Sequence, residues 1–444
     1  MDPFARRRLG LTAVEVTQLG FGGAGLGELF EVIPEAQAAA TLEAAWDAGI
    51  RYYDTAPWYG LTQSEHRFGR ALYRQPRRDF VLSTKVGRTM HAVHHAETYD
   101  RGIWTGGLPF QVRFDYSYDG VMRSFEDSLQ RLGLPRIDLL LVHDLDIQYH
   151  QTYKRVEALL IELHNGGARA LAELRAAGRI RGFGAGINEL GMIPRFLDLI
   201  DVDFFLVALP YTLLDQQVLD SEFPRCAEKG VGFVIGAVFG SGILATGAVQ
   251  GARYAYAPAA PEMLAKVARI EAVCTRHGVP LAAAALQFPL GHPSVASVIP
   301  GGLSPEHVRR NVAAFRHTIP SALWAELKHE GPASGRRTNA VARGCSKGLP
   351  SDRKFRPSRQ PTLGVASEPC GYPKPAKPEP NRGFRTRSTL GRTGYFWMIC
   401  RFTSARIFPQ RGCKLSEPNV FEPFRRVHDR IIRVFWPINF AHKR

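Results

Sequence analysis

The sequence predicts an α/β fold, a (β/α)8 barrel, and three observations support this prediction. Short apolar segments alternate with amphipathic helical patterns eight times within about 300 residues. Such alternation is typical of a parallel sheet in which a helix follows each strand, and eight repeats favour a closed barrel over an open doubly wound sheet. Hydrophobic residues make up 45% of the chain, which is enough for a large core.

Apolar runs and helical spacing place the individual elements. The predicted strands lie at 16–21, 51–55, 80–85, 138–143, 180–187, 204–210, 232–239 and 296–300. The predicted helices lie at 35–48, 64–73, 118–132, 167–177, 193–200, 217–229, 261–277 and 305–315. In the first helix Leu42, Ala45 and Trp46 share one face, and Gly49 marks its end.

The positive charge of the chain is concentrated in its last part. Residues 331–444 contain 24 Lys and Arg, 6 Asp and Glu, and 13 of the 30 prolines, whereas residues 1–330 carry a net charge of −2. We therefore predict a barrel over 5–330 and a disordered, basic tail over 331–444. We interpret the tail as the product of a shifted reading frame or a miscalled stop codon. The alternative is a genuine extension that binds nucleic acid or an acidic membrane surface.

Composition argues against several other classes of protein. The near-neutral body argues against a nucleic-acid-binding barrel, and the sequence contains no apolar run long enough to span a membrane. The opening residues lack the apolar stretch of a secretory signal, so we expect a cytoplasmic protein. The cysteines fit neither a zinc ribbon nor a disulfide framework; they are Cys226, Cys274, Cys345, Cys370, Cys400 and Cys413.

A long segment at 88–117 separates the third predicted strand from the third predicted helix. It contains several histidine and aromatic residues, among them Trp104. Structureless loops of this length usually serve a function, so a lid over a site is one interpretation and a mobile surface insertion is the other.

Polar groups follow three successive predicted strands. Asp54 ends the second strand and is followed by Tyr59 in DTAPWYG, Lys85 ends the third in FVLSTKVG, and His143 ends the fourth in LLLVHD. The carboxyl ends of barrel strands meet at one face, where the active sites of such barrels lie. We therefore expect these four side chains to lie together.

These residue types suit proton transfer at a carbonyl or alcohol without a metal. A phenol titrates near ~10, and we expect the ammonium of Lys85 to lower the pKa of Tyr59. Asp54 would keep Lys85 charged, and His143 would bind the substrate oxygen. Taken singly, each residue has a purely structural explanation, as a loop cap, a barrel-end ion pair or a core histidine. The four together favour a catalytic site.

The motifs DTAPWYG, STKVG and LLLVHD resemble those of the aldo-keto reductase superfamily, in order and spacing, over about residues 5–327. The resemblance implies that Tyr59 is the general acid or base, that Lys85 and Asp54 tune it, and that His143 orients the substrate. It also implies a short hairpin at the start of the chain that closes the bottom of the barrel.

Further segments, including SEHRFGRAL and FDYSYDGVMRSFEDSLQRLGL, resemble the D-threo-aldose 1-dehydrogenases, which are also called L-fucose or D-arabinose dehydrogenases. Pyridoxal 4-dehydrogenase is a close relative of that group. The resemblance implies oxidation of a cyclic hemiacetal at C1 to the lactone, with Tyr59 as base. A pyridoxal dehydrogenase and a general aldehyde or ketone reductase are the enzymatic alternatives. Trp58 and Trp104 are predicted to contact the substrate.

The resemblance also implies a set of cofactor contacts, in which glycines allow backbone N–H groups to approach phosphate. The predicted contacts are Gly22, Gly23, Asn188, Tyr211, Phe239, Gly240, Ser241, Gly242, Gly301 and Asn311. The glycine-rich run at 20–25 is read as close backbone approach and not as a Rossmann turn, because a lone run of this kind is weak evidence. Ala208 occupies the position where relatives often carry a glutamine.

The choice of cofactor depends on one position after the last strand. Many NADP-dependent members carry Arg or Lys where this chain has Leu303, and an apolar side chain cannot pair with a 2′-phosphate. NAD is therefore favoured over NADP, with Arg309 and Arg310 as side chains that would compensate. A cofactor-binding regulatory subunit without turnover is the non-enzymatic alternative, and the complete set of four polar residues argues against it.

Overall fold

The protein is described from a computed structural model in which residues 1–330 are placed, and structural statements concern this part of the chain. The predictions for residues 331–444, including the four cysteines there and any nucleic-acid contact, lie outside the described residues. The described residues contain fourteen strands and fourteen α-helices.

The strands are β1 (Arg6–Arg8), β2 (Glu15–Thr17), β3 (Phe21–Gly22), β4 (Tyr52–Asp54), β5 (Val81–Val86), β6 (Arg88–Ala92), β7 (Phe110–Phe114), β8 (Leu139–His143), β9 (Gly182–Ile187), β10 (Phe204–Val207), β11 (Gly232–Ile235), β12 (Arg253–Tyr254), β13 (Ala257–Pro258) and β14 (Val295–Val298). The helices are α1 (Glu35–Ala48), α2 (Gln63–Leu72), α3 (Tyr118–Leu132), α4 (Ile147–His150), α5 (Tyr153–Glu162), α6 (Ala168–Ala176), α7 (Met192–Leu197), α8 (Val218–Ser221), α9 (Phe223–Glu228), α10 (Ile243–Thr246), α11 (Pro261–Arg276), α12 (Leu281–Gln287), α13 (Pro305–Arg316) and α14 (Ser321–His329).

Eight parallel strands form the central sheet, in the order β3-β4-β5-β8-β9-β10-β11-β14. Parallel bridges from Leu19 to Val298 and from Gly22 to Gly301 join the first strand to the last. The sheet is thereby closed, with helices packed outside it, and the predicted (β/α)8 barrel is confirmed.

The N-terminal segment covers one end of the barrel, and it corrects the first predicted strand. Residues 16–21 do not form one continuous strand, because β2 pairs antiparallel with β1 and the barrel strand is Phe21–Gly22, preceded by the single bridge at Leu19. The hairpin residues Leu9, Val14 and Val16 are buried in one apolar cluster with residues of six barrel strands, β4, β5, β8, β10, β11 and β14. This hairpin packs against the barrel interior and closes the end of the barrel opposite the carboxyl ends of the strands.

The outer helices begin and end where the sequence supplies caps. Ser117 accepts a hydrogen bond from the backbone of Gly120 at the start of α3, and Gly133 follows the helix with φ 61°. The predicted helix at 217–229 is split into α8 and α9, and Pro224 stands in the first turn of α9. A proline lacks a backbone donor and is favoured only at such a start, which explains the break.

The segment at 88–117 is not structureless as predicted. β6 and β7 form an antiparallel hairpin with Arg88 opposite Phe114 and Ala92 opposite Phe110. Trp104, in the connection between them, bridges to Leu29 of the first strand–helix loop. Because both strands mix polar and aromatic residues, the sequence does not show the alternation of apolar and polar residues that predicts a strand.

Within residues 1–330, no helix is long and apolar enough to cross a membrane.

Gly184 and Gly186, both in β9, provide a matched test of barrel packing. A Cβ at Gly184 would lie 1.9 Å from the carbonyl oxygen of Phe204, whereas one at Gly186 would lie 3.9 Å from that of Val142. We expect Gly184→Ala to lower the free energy of unfolding by about 1–3 kcal/mol or more, and Gly186→Ala to be neutral or slightly stabilising. Urea unfolding followed by circular dichroism measures both, and equal midpoints would contradict the strand spacing described here.

Candidate active site

The four predicted polar residues lie at one end of the barrel. Asp54 ends β4, Lys85 lies near the end of β5, His143 ends β8, and Tyr59 lies in the loop between β4 and α2. All four line a cavity of about 310 Å³ at the carboxyl ends of the strands. The prediction that parallel strands bring them together therefore agrees with the geometry.

A buried ion pair links two neighbouring strands at the base of this cavity. Lys85 Nζ donates to Asp54 Oδ2 at 2.7 Å and to the carbonyl oxygen of Thr55 at 2.8 Å. The other carboxylate oxygen of Asp54 accepts from Ser83 at 2.7 Å. Both charged residues are 1% exposed. Because each charge has partners on more than one side, the pair is held in a fixed position.

Tyr59 lies above this pair, with Lys85 Nζ 4.6 Å from the centre of its ring. Burial raises the pKa of Tyr59 well above its usual value, the carboxylates of Asp54 and Asp144 raise it further, and Arg88 opposes them. The net shift is therefore opposite to the predicted lowering of the pKa of Tyr59, because desolvation and two negative charges outweigh the positive charge of Arg88. Tyr59 is thus a neutral phenol in this structure.

His143 forms the adjacent wall of the cavity. Its ring centre lies 5.7 Å from that of Tyr59, and its Nε2 lies 3.1 Å from Asp144 Oδ2. Burial lowers the pKa of His143 well below its usual value, and the positive charges of Arg88 and Lys85 lower it further. The imidazole is thus neutral, with one N–H to donate, as an oxygen-binding group requires.

The two predicted substrate tryptophans have different positions. Trp58 lines the cavity, whereas Trp104 is not among its lining residues. Trp104 lies behind the wall, with ring centres 5.1 Å from Trp58 and 5.7 Å from Tyr59. Its direct contact with substrate is therefore not supported, and it supports the two aromatic rings that do line the cavity.

Most of the predicted cofactor residues border the same cavity. These residues are Gly22, Gly23, Asn188, Phe239, Ser241, Gly242 and Gly301. Packing explains the first two glycines, because a Cβ would lie 2.7 Å from the carbonyl oxygen of Ile299 or 2.8 Å from that of Asp54. Positive φ values of 54°, 63° and 106° at the consecutive residues 240–242 turn the backbone sharply beside the cavity.

Three predicted cofactor residues do not line the cavity. Gly240 lies within that turn but outside the cavity wall, and Asn311 donates to the carbonyl oxygen of Gly301 at 3.3 Å. Tyr211 is buried against Phe223 and Phe288, at ring distances of 5.0 and 5.7 Å, and borders a second cavity of about 800 Å³. The chain turns at Leu209, with φ 59°, and Tyr211 lies beyond that turn.

Sequence reasoning missed three residues at the site. Tyr256, between β12 and β13, lines the cavity, and its backbone N–H donates to Ser241 Oγ at 3.0 Å. Asp144 also lines the cavity, and Arg88 lies behind Trp58, 4.1 Å from its ring centre. Asp144 is the last residue of the LLLVHD motif and Arg88 directly follows STKVG, so proximity could have identified them; no sequence pattern points to Tyr256.

The residues considered for binding the 2′-phosphate of NADP lie in different surroundings, and the preference for NAD stays a prediction. Leu303 lines the cavity, and no arginine does so among the described residues. Arg309 and Arg310, the side chains considered as substitutes, are exposed and paired with Glu306 at 3.1 and 2.9 Å. Within residues 1–330, no cluster of three or more His, Cys, Asp or Glu has the arrangement of a metal site.

Comparison with known proteins agrees with this geometry. The family model described as "Aldo/keto reductase family" matches residues 18–329. The chain belongs to the aldo/keto reductase family. It is therefore an oxidoreductase, and members of this family generally use nicotinamide cofactors.

Named relatives include two dehydrogenases. The chain is 46% identical over 336 residues to a pyridoxal 4-dehydrogenase from Microbacterium luteolum, with 73% of this chain and 97% of that protein covered. It is 39% identical over 323 residues to a D-threo-aldose 1-dehydrogenase from a Pseudomonas species, with 70% and 93% covered. A solved aldo-keto reductase from Bacillus halodurans, in its holo form, matches with TM-score 0.58 and 25% identity, covering 76% of this chain and 99% of that one.

The buried pair of Asp54 and Lys85 can be tested by a double-mutant cycle. Lys85→Met leaves the Asp54 carboxylate buried without its cation, and we expect it to lower the free energy of unfolding by about 3–5 kcal/mol. Adding Asp54→Asn removes that uncompensated charge and should restore most of the loss, without restoring activity. Chemical denaturation of the single and double variants measures the coupling, and additive effects would show that the two groups do not interact.

Proposed function

We propose that this oxidoreductase oxidises an aldose of the L-fucose or D-arabinose type at C1, from the cyclic hemiacetal to the lactone, with NAD as hydride acceptor. The placement of Tyr59, Lys85, Asp54 and His143 around one cavity is the observation that carries the proposal. The similarity to an aldose 1-dehydrogenase and to a pyridoxal 4-dehydrogenase supports the oxidative direction.

The cavity suits a nicotinamide cofactor on its own geometry. Gly22 and Gly301 pair along its edge, and the absence of side chains there leaves the backbone accessible. Asn188 supplies an amide next to Asp144, and the sharp turn at 239–242 supplies backbone groups at another part of the wall. These residues would hold the cofactor, which when bound supplies the hydride acceptor and, in its oxidised form, a positive charge.

The protein's own residues handle the proton. In oxidation the phenolate of Tyr59 would accept the proton of the anomeric hydroxyl, and in reduction the neutral phenol would donate a proton to the carbonyl oxygen. Because burial and two carboxylates raise the pKa of Tyr59, the phenolate is scarce and the oxidation rate should increase with pH. Lys85 and Arg88 favour the phenolate electrostatically, and neutral His143 donates to the substrate oxygen.

Pyridoxal is the second candidate substrate, and the shape of the cavity supports it. Phe30, Trp58 and Tyr256 line the cavity around Tyr59 and present aromatic rings on which a planar pyridine could stack. In water pyridoxal closes through its neighbouring hydroxymethyl group to a cyclic hemiacetal, so the same proton and hydride transfers apply. A general aldehyde or ketone reductase, the remaining enzymatic alternative, would use the reverse direction.

A cytoplasmic location of the protein stays a prediction.

Turnover and the role of Tyr59 can be tested together. We expect the full-length protein with NAD and L-fucose, D-arabinose or pyridoxal to produce the absorbance of reduced nicotinamide, at a rate that increases with pH. Tyr59→Phe should lose at least about 100-fold in kcat while binding cofactor normally, because only the proton-transfer group is removed.

Tyr73→Phe is the matched control, since this phenol is 50% exposed on the outer surface and should not affect turnover. Absence of turnover with every substrate and either cofactor would reject the dehydrogenase proposal. Unchanged activity of Tyr59→Phe would reject the role of Tyr59.

The preference for NAD depends on Leu303. Leu303→Arg introduces a cation that can pair with a 2′-phosphate, so we expect kcat/KM for NADP to rise at least about tenfold relative to NAD. Leu303→Met, which adds no charge, controls for packing. Initial rates with both cofactors measure the ratio, and a wild-type preference for NADP would contradict the proposal.

A further inference from the structure

A second buried ion pair lies beside the first and is not explained by the four predicted residues. Arg88 is 2% exposed, and its Nη2 donates to Asp144 Oδ2 at 2.8 Å. Its guanidinium carbon lies 4.1 Å from the ring centre of Trp58, 4.3 Å from that of Tyr149 and 5.1 Å from that of Phe114. Three aromatic faces and one carboxylate therefore hold this cation in place.

Asp144 is fixed from several directions. Its Oδ1 accepts from Asn188 Nδ2 at 2.9 Å, while its Oδ2 faces both Arg88 and His143 Nε2, the latter at 3.1 Å. The backbone of Asp144 has φ 44°, a left-handed conformation that costs free energy for a residue other than glycine. The carboxylate of Asp144 is therefore held in a fixed position next to the imidazole of His143.

We propose that Asp144, held by Arg88 and Asn188, is a positioning residue that fixes neutral His143 with its proton on Nε2. A carboxylate oxygen 3.1 Å from Nε2 repels a lone pair there and attracts an N–H. The other ring nitrogen, Nδ1, is buried and has no hydrogen-bond partner in the described structure, so nothing near it favours the opposite tautomer. The contact between Nε2 and Asp144 lacks the alignment of a hydrogen bond, so the Nε2–H can be donated to a substrate oxygen in the cavity that both residues line.

Only an ionised carboxyl group suits this arrangement. Asp144 accepts hydrogen bonds from Arg88 on Oδ2 and from Asn188 on Oδ1, so a protonated acid or an amide would turn a donor toward one of them. Asp144→Asn keeps the shape of the side chain but replaces one acceptor oxygen by an amide donor. The substitution therefore tests this requirement directly. The inference rests on the proposed function, because it assigns His143 its role in orienting the substrate.

The pH dependence of this arrangement follows from the groups that face Asp144. The cations are Arg88 and Lys85, the other carboxylate is Asp146, the imidazole is His143, and the phenols are Tyr59, Tyr116, Tyr149 and Tyr256. Burial raises the pKa of Asp144 to about 6, Arg88 opposes the shift, and Asp146 adds to it. The active carboxylate form is therefore lost as pH falls through about 6.

The first experiment measures kcat/KM against pH. We expect the wild-type protein to lose activity below a pH of about 6, and Asp144→Asn to be at least about tenfold less active with this acid limb absent. Arg88→Met, which removes the cation but keeps an apolar side chain among the rings, should move the limb to higher pH. Asp198→Asn is the matched control, since this carboxylate is paired with Arg225 at the surface at 2.6 Å and should leave the profile unchanged.

The second experiment requires no turnover and so separates this inference from the proposed function. Nitrogen-15 NMR of histidine-labelled full-length protein, with His143 assigned from His143→Gln, should show the Nε2–H tautomer in the wild type and a mixture in Asp144→Asn. An Nδ1–H tautomer in the wild type would overturn the inference. An acid limb that persists unchanged in a folded Asp144→Asn protein would overturn it as well.

Discussion

The ion pair between Asp54 and Lys85 is the constraint on which the site depends. Neither charge is stable alone in the barrel interior, so each requires the other at a fixed distance on an adjacent strand. Parallel pairing of β4 with β5 supplies that distance, and Ser83 and Thr55 satisfy the remaining hydrogen-bonding capacity. Tyr59 then contacts a rigid positive charge whose position is set by the sheet and not by a mobile loop.

The second ion pair, between Arg88 and Asp144, likewise holds two buried charges in fixed positions, here next to the end of β8. The two ion pairs lie beside Tyr59 and His143 and give each reactive group a defined electrostatic environment. Both reactive side chains are nevertheless neutral in the structure. Desolvation is the largest cause of both pKa shifts, and it favours the uncharged forms of phenol and imidazole.

The sequence predicted the elements that repeat and missed those that do not. The barrel, α1 and α3 were recognisable because apolar spacing and end signals agree, and Asp54, Lys85 and His143 were recognisable because strand ends converge. Tyr211 lies outside the cavity wall because its direction depends on the backbone turn at Leu209, which no periodicity encodes. The pKa of Tyr59 was misjudged because neighbouring residues alone do not reveal the cost of burial.

The cavity wall opposite the strands affects how the range of substrates could change. Phe30 comes from the first strand–helix loop and Tyr256 from the turn between β12 and β13, and Trp104, from the connection between β6 and β7, lies behind Trp58 and Tyr59. Arg253 lies over the ring of Phe30 at 4.4 Å, so two of these distant segments touch. Substitution of these aromatic residues can therefore change the shape of the cavity, while Asp54, Lys85 and His143, which belong to strands of the sheet, keep their geometry.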